Sequence, residues 1–509
     1  MHVLVLGLGE SGLAMLRHLC ACGAHARVAD TRVEPPGLAV LRERHPDIVP
    51  VGGPFAPPLL DGIDALCVSP GLSIERGDGA ALVDRARAAG LPVWGELDLF
   101  VAAVHDHAER ARAQALAREP DGEDDDPARV ATGADPRPRL IGITGTNGKT
   151  TVTALTTLLL EAAGLDARAA GNIGPAMLEA WHDALAAGEP PRAWVLELSS
   201  FQLAIAQPPS LDAAAILNVS QDHLDWHRSH DSYVAAKARI ARRAAALVCR
   251  RDDPATRAPG ASAVVTIGLD EPASVGDFGL VHEGGIVWLA EALPAEDGAP
   301  RRRGQPPAGI RLNRLMPAEA LHLRGAHNHL NALAALALAR RLGLPMAGML
   351  HALREYRGEA HRCQLIASLE GVDFVDDSKG TNVGATVAAL QGLDRRCWLI
   401  AGGVGKSQDF SPLIEPVRAN AAGVFLIGEA ASELARLLDG AAARVERCAS
   451  LAEAVGLAAD AAGAGEAVLL SPACASFDMF RDYRDRGRVF GECVRELAIR
   501  RGIVTELPC

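Results

Sequence analysis

The run Gly145-Thr146-Asn147-Gly148-Lys149-Thr150-Thr151 carries the strongest chemical signal in the chain. It follows an apolar, strand-like segment, RLIGIT, and leads into a helical pattern, TVTALTTLLLEAAG. Glycines let backbone N–H groups approach phosphate oxygens, and a helix N-terminus favours anions. A lysine there reaches the β- and γ-phosphates, and a following threonine hydroxyl can meet a magnesium ion. The general pattern G-x-x-x-x-G-K-[ST] is broken, because Ile143 stands where its first glycine belongs. The agreement of strand, loop, Lys-Thr pair and helix still predicts a nucleoside triphosphate site, so ATP and Mg²⁺ are the expected cofactors.

Three polar groups follow the loop: Glu197 in WVLELSSFQL, His223 in NVSQDHLDWH and Lys237 in YVAAKARI. Glu197 places a charge in an otherwise apolar strand, and a buried carboxylate needs a partner. A carboxylate, an imidazole and a nearby lysine suit a magnesium ion and a transferring phosphoryl group. Further on, polar clusters sit just past three strand-like runs. They are Asp377-Ser378-Lys379-Gly380-Thr381-Asn382, Gly402-Gly403-Val404-Gly405-Lys406 and Ser471-Pro472-Ala473-Cys474-Ala475-Ser476. Clusters on successive strand ends build one pocket. With Lys379 and Lys406 it should take an acidic substrate. Cys474 has no histidine base among its neighbours, so packing is expected of it rather than nucleophilic attack.

The chain opens differently, with Gly7-Leu8-Gly9-Glu10-Ser11-Gly12 after HVLVL and with Asp30 closing a second strand. That turn fits the dinucleotide fingerprint, yet its geometry suits any pyrophosphate or nucleotide diphosphate. Thr31 and Arg32 follow where a phosphate contact would sit.

Elements of the right kind must position these groups. Strand and helix patterns alternate throughout, predicting an α/β chain of parallel, doubly wound sheets. At roughly 150 residues per domain, 509 residues suggest about three domains. The first, Rossmann-like, is read as 1–103. Residues 104–139 are read as a charged insertion, disordered or loosely held in its second half, EPDGEDDDPARVATGADPRPR. A central P-loop-type ATPase domain spans 140–357, interrupted by a polar stretch between Pro294 and Pro317, and a second Rossmann-like domain spans 358–509. A net charge of −12 argues against general attraction to nucleic acid or anionic membranes. No apolar run approaches the roughly 20 residues of a membrane helix, and the opening MHVLVLGLGE reads as a first strand, not a leader. The ten cysteines show no paired spacing for zinc. A cytoplasmic, monomeric protein with reduced thiols is expected.

GTNGKTT, ELSSFQL, NVSQDHLD, GAHNHLNALAA, HRCQ, DDSKGTN, GGVGKSQDFS and SPACASFDMF, in this order, resemble the Mur ligase family. The likeness covers nearly the whole chain apart from 104–139 and the stretch around 294–317. It implies three domains that bind, in turn, the UDP end of a precursor, ATP and an incoming amino acid. It also implies a step of peptidoglycan synthesis, with UDP-N-acetylmuramoyl-L-alanine and D-glutamate as substrates. By motif, Ser11, Thr31 and Arg32 would contact the uridine nucleotide, and Asn172, Ser199 and Gln202 would lie along the muramoyl and magnesium region. Gly145 to Thr151 would hold the ATP phosphates, chiefly through Lys149 and Thr150. Glu197 and His223 would ligate magnesium with Thr150, joined by Lys237 if carbamylated. Asn328, Asn331, Arg362 and Asp377 would hold adenosine and phosphates. Lys379, Thr381, Lys406 and Ser476 would line the D-glutamate site, with Phe477 and Tyr483 at its edge. Two departures stand out: Val404 replaces the acidic residue of a GGDGK loop, and the His223-to-Lys237 spacing is one residue short.

The resemblance implies attack of the alanine carboxylate on the γ-phosphorus, then of the D-glutamate amine on the acyl phosphate, with Asp377, His361 or the departing phosphate as base. Rival readings are another ligase of the family, including one extending a folate with glutamate, a nicotinamide-dependent oxidoreductase prompted by GLGESG and Asp30, and a nucleotide-binding switch.

Overall fold

The structure, a computed structural model, describes residues 1–116, 137–188, 190–295, 309–323, 325–393, 395–406 and 408–503. The first sheet has five parallel strands, with His2–Leu6 at its centre between His25–Asp30 and Ala65–Val68 and with Val51–Gly52 and Val93–Trp94 at its edges. The turn after His2–Leu6 feeds the helix Glu10–Ala21. Gly12 lies so close to the turn that a Cβ there would stand 2.0 Å from the Gly7 carbonyl oxygen and 2.9 Å from Ser69 Oγ. Only glycine lets the helix start that near the strand.

The central sheet has nine strands. Arg139–Thr144, which carries the phosphate loop, runs between Ala193–Glu197 and Ala213–Ile216, parallel to both. Its two neighbours therefore end beside the loop, which is how Glu197 is delivered to it. The helix Ala326–Arg341 is apolar on nearly every side and is buried accordingly, packed against Lys149–Ala162. The expectation of parallel sheets fails at one edge: Phe278–Glu283, Ile286–Pro294 and Ile310–Pro317 pair antiparallel. The glycine pair Gly284-Gly285, both at positive φ, turns the chain back after Glu283. The polar stretch read from Pro294 to Pro317 thus keeps its second flank as a strand, and residues 296–308 lie outside the described residues.

The third sheet has six strands, parallel except for the edge pair Gln364–Leu369 and Val372–Asp376. Its central strands, Cys397–Gly402 and Ala467–Leu470, end at the clusters read from the sequence.

The boundary read at residue 103 falls inside one continuous helix, Glu96–Leu116. Leu97, Phe100, Val104 and Ala108 recur at helical spacing and are buried, so the apolar face crosses the point where the outward face turns charged. Phe100 meets Trp181 and Trp194 edge-on at ring distances of 6.3 and 5.4 Å, joining the first domain to the central one. The acidic part of the insertion, 117–136, lies outside the described residues. Among the described residues no helix is long and apolar enough to cross a membrane, and nine cysteines are free thiols.

Gly12→Ala should destabilise the first domain by at least about 2 kcal/mol, since neither a backbone carbonyl nor a packed turn can yield to the added methyl. Denaturant unfolding of the variant beside the wild type checks this.

Candidate active site

The loop closes at Gly148, whose φ of 82° is left-handed and whose Cβ, if present, would lie 2.6 Å from Asn331 Oδ1. Both demands select glycine. Lys149 Nζ folds back to donate to the carbonyls of Gly145 (2.9 Å) and Thr146 (2.8 Å). Lys237 Nζ, only 2% exposed, donates to the same Gly145 oxygen at 2.7 Å. Burial, and then the Lys149 charge, hold the Lys237 amine well below its ordinary pKa, against the pull of Asp222 and Glu197. Among the described residues no carboxylate lies within ion-pair distance of it.

Glu197 is 1% exposed. Its Oε2 accepts from Thr150 Oγ1 at 2.7 Å and its Oε1 from Asn172 Nδ2 at 2.8 Å, so the charged strand residue has the partners that burial requires. Arg362 Nη2, from the third domain, donates to Thr150 Oγ1 at 2.5 Å. Thr146 Oγ1 lies 2.9 Å from Tyr233 Oη and bridges to Ser220. His223 takes a φ of 56° and stands beside Asp222. Burial lowers its pKa to about 4, helped by Lys406 and Lys149 and opposed by Asp222. At neutral pH its ring is uncharged and keeps a lone pair.

A cavity of about 290 Å³ opens between the central and third domains. Asn147, Gly148, Thr151, Asn328, Asn331, Arg362, Asp377 and Lys379 line it. Asn328, Asn331, Arg362 and Asp377, read from distant segments, thus lie beside part of the phosphate loop, whereas Asn172 lines a different cleft. Asn331 Nδ2 donates to Asn328 Oδ1 at 3.0 Å, which orients both amides. Asp377 accepts from Ser471 Oγ at 2.7 Å, and burial raises its pKa to about 7 against the pull of Ser471 and Arg362. Lys379 Nζ lies 3.8 Å over the Tyr483 ring, and Lys406 Nζ is 3.9 Å from Asp222. Thr381 is partly buried and Ser476 buried in the adjoining loops. Cys474 is buried with its thiol pushed up to about 12, the behaviour of a packing residue.

Other expected site residues sit elsewhere or do something else. Phe477 is 73% exposed and does not line the cavity. Gln202 accepts from Ser199 N and Oγ, and Ser199 Oγ accepts from Gln202 N, so the two form a capping box on the helix Ser200–Ile205. Arg32 is paired with Asp30 at 2.8 Å, while Thr31 is exposed. Asp30 also accepts from Leu8 N (2.8 Å), so the carboxylate that suggested a ribose contact is spent on bracing the turn. Ser11 lies beside the buried Glu96.

Several contributors escaped the sequence reading. Arg486 is wholly buried and donates to Ser378 and to the Cys474 carbonyl, tying the two loops together; it sits in a charged helix, RDYRDRGRVF, that looks like a solvated face. Asp376 is another: it pairs through Oδ2 with Nδ1 of His361, which the sequence reading names as a candidate base, at 2.6 Å. Gly487 leaves the room for them, since a Cβ there would stand 2.2 Å from His361 Nδ1. Asp222, next to His223, and Asn218, at the head of NVSQDH, were passed over beside a more conspicuous histidine.

Because the Asp377 pKa is raised on folding, its neutral form favours the folded state. That contribution is complete below the unfolded value near 3.8 and is lost as pH rises through about 7. Asp377→Asn should therefore be more stable than the wild type at pH 8 without ligands, with the gap closing towards pH 4. Thermal unfolding across that range is the check.

Residues 1–95 match the N-terminal domain of MurD-like Mur ligases, 143–339 the Mur ligase middle domain and 361–474 the glutamate ligase domain of Mur ligases. The chain is 49% identical to the UDP-N-acetylmuramoylalanine--D-glutamate ligase of Paraburkholderia xenovorans, over 98% of this chain and 97% of that one. It is 50% identical to the ligase of that name from Cupriavidus pinatubonensis, over 99% and 98%. In fold it resembles the UDP-N-acetylmuramate-alanine ligase MurC of Thermotoga maritima, with a TM-score of 0.53, 19% identity and coverage of 98% and 100%. It resembles the MurF ligase of the same organism with a TM-score of 0.53, 14% identity and coverage of 86% and 96%. A chain that keeps half its residues in common with such ligases from end to end, and shares the fold of more distant ones, belongs to the Mur ligase family.

Proposed function

We propose that the protein joins D-glutamate to UDP-N-acetylmuramoyl-L-alanine at the expense of ATP, in peptidoglycan precursor synthesis. The observation that carries this reading is near-full-length identity of about half to ligases named for that reaction. The convergence of the phosphate loop with Lys379 and the Lys406 loop supports it from the side of chemistry.

The loop amides and Lys149 bind the triphosphate. Lys149 rests on two loop carbonyls, contacts that phosphate oxygens would replace. Arg362 then bears on the phosphates from the opposite domain, neutralising charge as it develops. Asn328 and Asn331 face the nucleotide from the helix below. The acceptor would reach the loop from the first domain past Asn172. A cleft of about 440 Å³ there is lined by Glu10, Leu13, Asn172 and Arg484 among others.

Magnesium fits the residues present. The Thr150 hydroxyl and the Glu197 carboxylate touch at the loop, and Mg²⁺ takes one or two carboxylates alongside phosphates and water. His223, neutral, and Lys237, if carbamylated, would complete the set. Carbamylation needs a neutral amine, which burial and Lys149 favour at Lys237. When bound, the ion would screen the phosphate oxygens from the attacking carboxylate.

Once the acyl phosphate has formed, Lys379, Lys406, Thr381 and Ser476 hold the two carboxylates of D-glutamate and turn its amine towards the acyl carbon. Both the His361–Asp376 pair and Asp377, with its raised pKa, stand near Lys379 to receive the proton of the ammonium. The protein works in the cytoplasm, as a monomer.

Phosphate release should require both UDP-N-acetylmuramoyl-L-alanine and D-glutamate. Lys149→Ala should lower it by about 10³-fold or more, the loss of a charge that acts on the transferring group. Removing bicarbonate should lower the activity and restoring it should recover it, through Lys237. Phosphate release with either organic substrate omitted would refute the assignment.

A further inference from the structure

Asn382 ends the DDSKGTN segment, one residue after Thr381 and three after Lys379. It caps the helix Val383–Gly392, its Oδ1 accepting from Ala385 N at 2.9 Å. The same side chain crosses the domain boundary. Asn147 Nδ2 donates to Asn382 Oδ1 at 3.2 Å, and Asn382 Nδ2 donates back to Asn147 Oδ1 at 3.0 Å. The two amides form a reciprocal clasp between the phosphate loop and the helix that starts at the amine-donor site.

Both sides of the clasp are braced. Asn218 grips the backbone of Asn147 from within the central domain, its Oδ1 accepting from Asn147 N at 2.9 Å and its Nδ2 donating to Asn147 O at 3.1 Å. Asn382 Nδ2 also reaches Asp222 Oδ2 at 3.3 Å, next to the Lys406 ammonium. A separate feature shows how closely the helix must approach: a Cβ at Gly384 would stand 3.2 Å from Asn147 Nδ2 and 3.3 Å from Ser220 Oγ. An amide pair suits the place, because it is directional yet adds no net charge beside the phosphates.

We propose that Asn382 is a positioning residue for the ligation, and that its clasp on Asn147 sets the distance between the phosphate loop and the amine-donor loop in the closed enzyme. The inference rests on the proposed ligation. It differs in locating closure in one amide pair that touches neither reacting atom. The acyl phosphate forms at the loop and the amine waits beside Lys379, so a small change in that spacing acts on amide formation more than on ATP binding.

The test uses the full chain with Asn382→Ser, which keeps a capping oxygen for Ala385 N but is too short to reach Asn147. Loss of the two amide hydrogen bonds to Asn147, together with the longer contact to Asp222, should lower kcat by about tenfold and raise the KM for D-glutamate, with ATP affinity changed by less than about twofold. Gly384→Ala, which leaves the cap intact, should act in the same direction. Asn147→Ala combined with Asn382→Ser should be no worse than the worse single variant, since both break one contact. Scattering with a non-hydrolysable ATP analogue, independent of D-glutamate, should show wild-type compaction that Asn382→Ser lacks. Multiplying effects in the double variant, or wild-type kcat, KM and compaction in Asn382→Ser and Gly384→Ala, would overturn the clasp. Wild-type turnover without D-glutamate would instead overturn the ligation reading and leave the scattering result to judge the clasp.

Discussion

Two lysine side chains rest on one carbonyl oxygen: Lys149 and Lys237 both donate to Gly145 O. Placing two like charges there, one of them fully buried, is costly unless something offsets it. The offset comes from Glu197 and Asp222, which pull against burial. The strand order follows from the same need, because Arg139–Thr144 is flanked by the strand that ends in Glu197 and by the one that leads to Asn218 and Asp222.

Neutral polar groups do much of the remaining work. Asn172 fixes Glu197, Asn218 fixes Asn147, and Asn331 fixes Asn328. An amide orients a neighbour through both a donor and an acceptor while leaving the local charge unchanged. Around phosphates that gain and lose charge, such groups hold geometry without competing for the ions. Arg486 is the exception, a buried cation satisfied by the carbonyl and hydroxyl oxygens of two loops rather than by a carboxylate, with burial lowering its pKa to about 10.

The domains are joined as firmly as the site demands. Trp226 and His227, just past His223, meet the first domain through Pro70 and Glu75. Thr150 and Asn147 meet the third domain through Arg362 and Asn382. The phosphate loop thus carries the contact with the third domain, while the first domain is met by the segment that follows His223.

Local order was legible in the sequence by itself: the phosphate loop, the strand ending in Glu197, the glycine turn from Gly7 to Gly12, and the clusters after the third-domain strands. Each depends on neighbours within a few residues, where glycine, helix start and apolar run constrain one another. The sequence also carried the family resemblance, because its motifs are short contiguous runs. Tertiary structure alone decided what lies between elements far apart in the chain. The pairing of Asn147 with Asn382 and the burial of Arg486 have no periodic signature. The helix Glu96–Leu116 was cut at residue 103 because its outward face turns charged while its inward face does not. The antiparallel edge of the central sheet depended on which strand found a partner. Local chemistry is written in residue types and spacing, whereas partners across domains are chosen by packing that brings distant residues within hydrogen-bond reach.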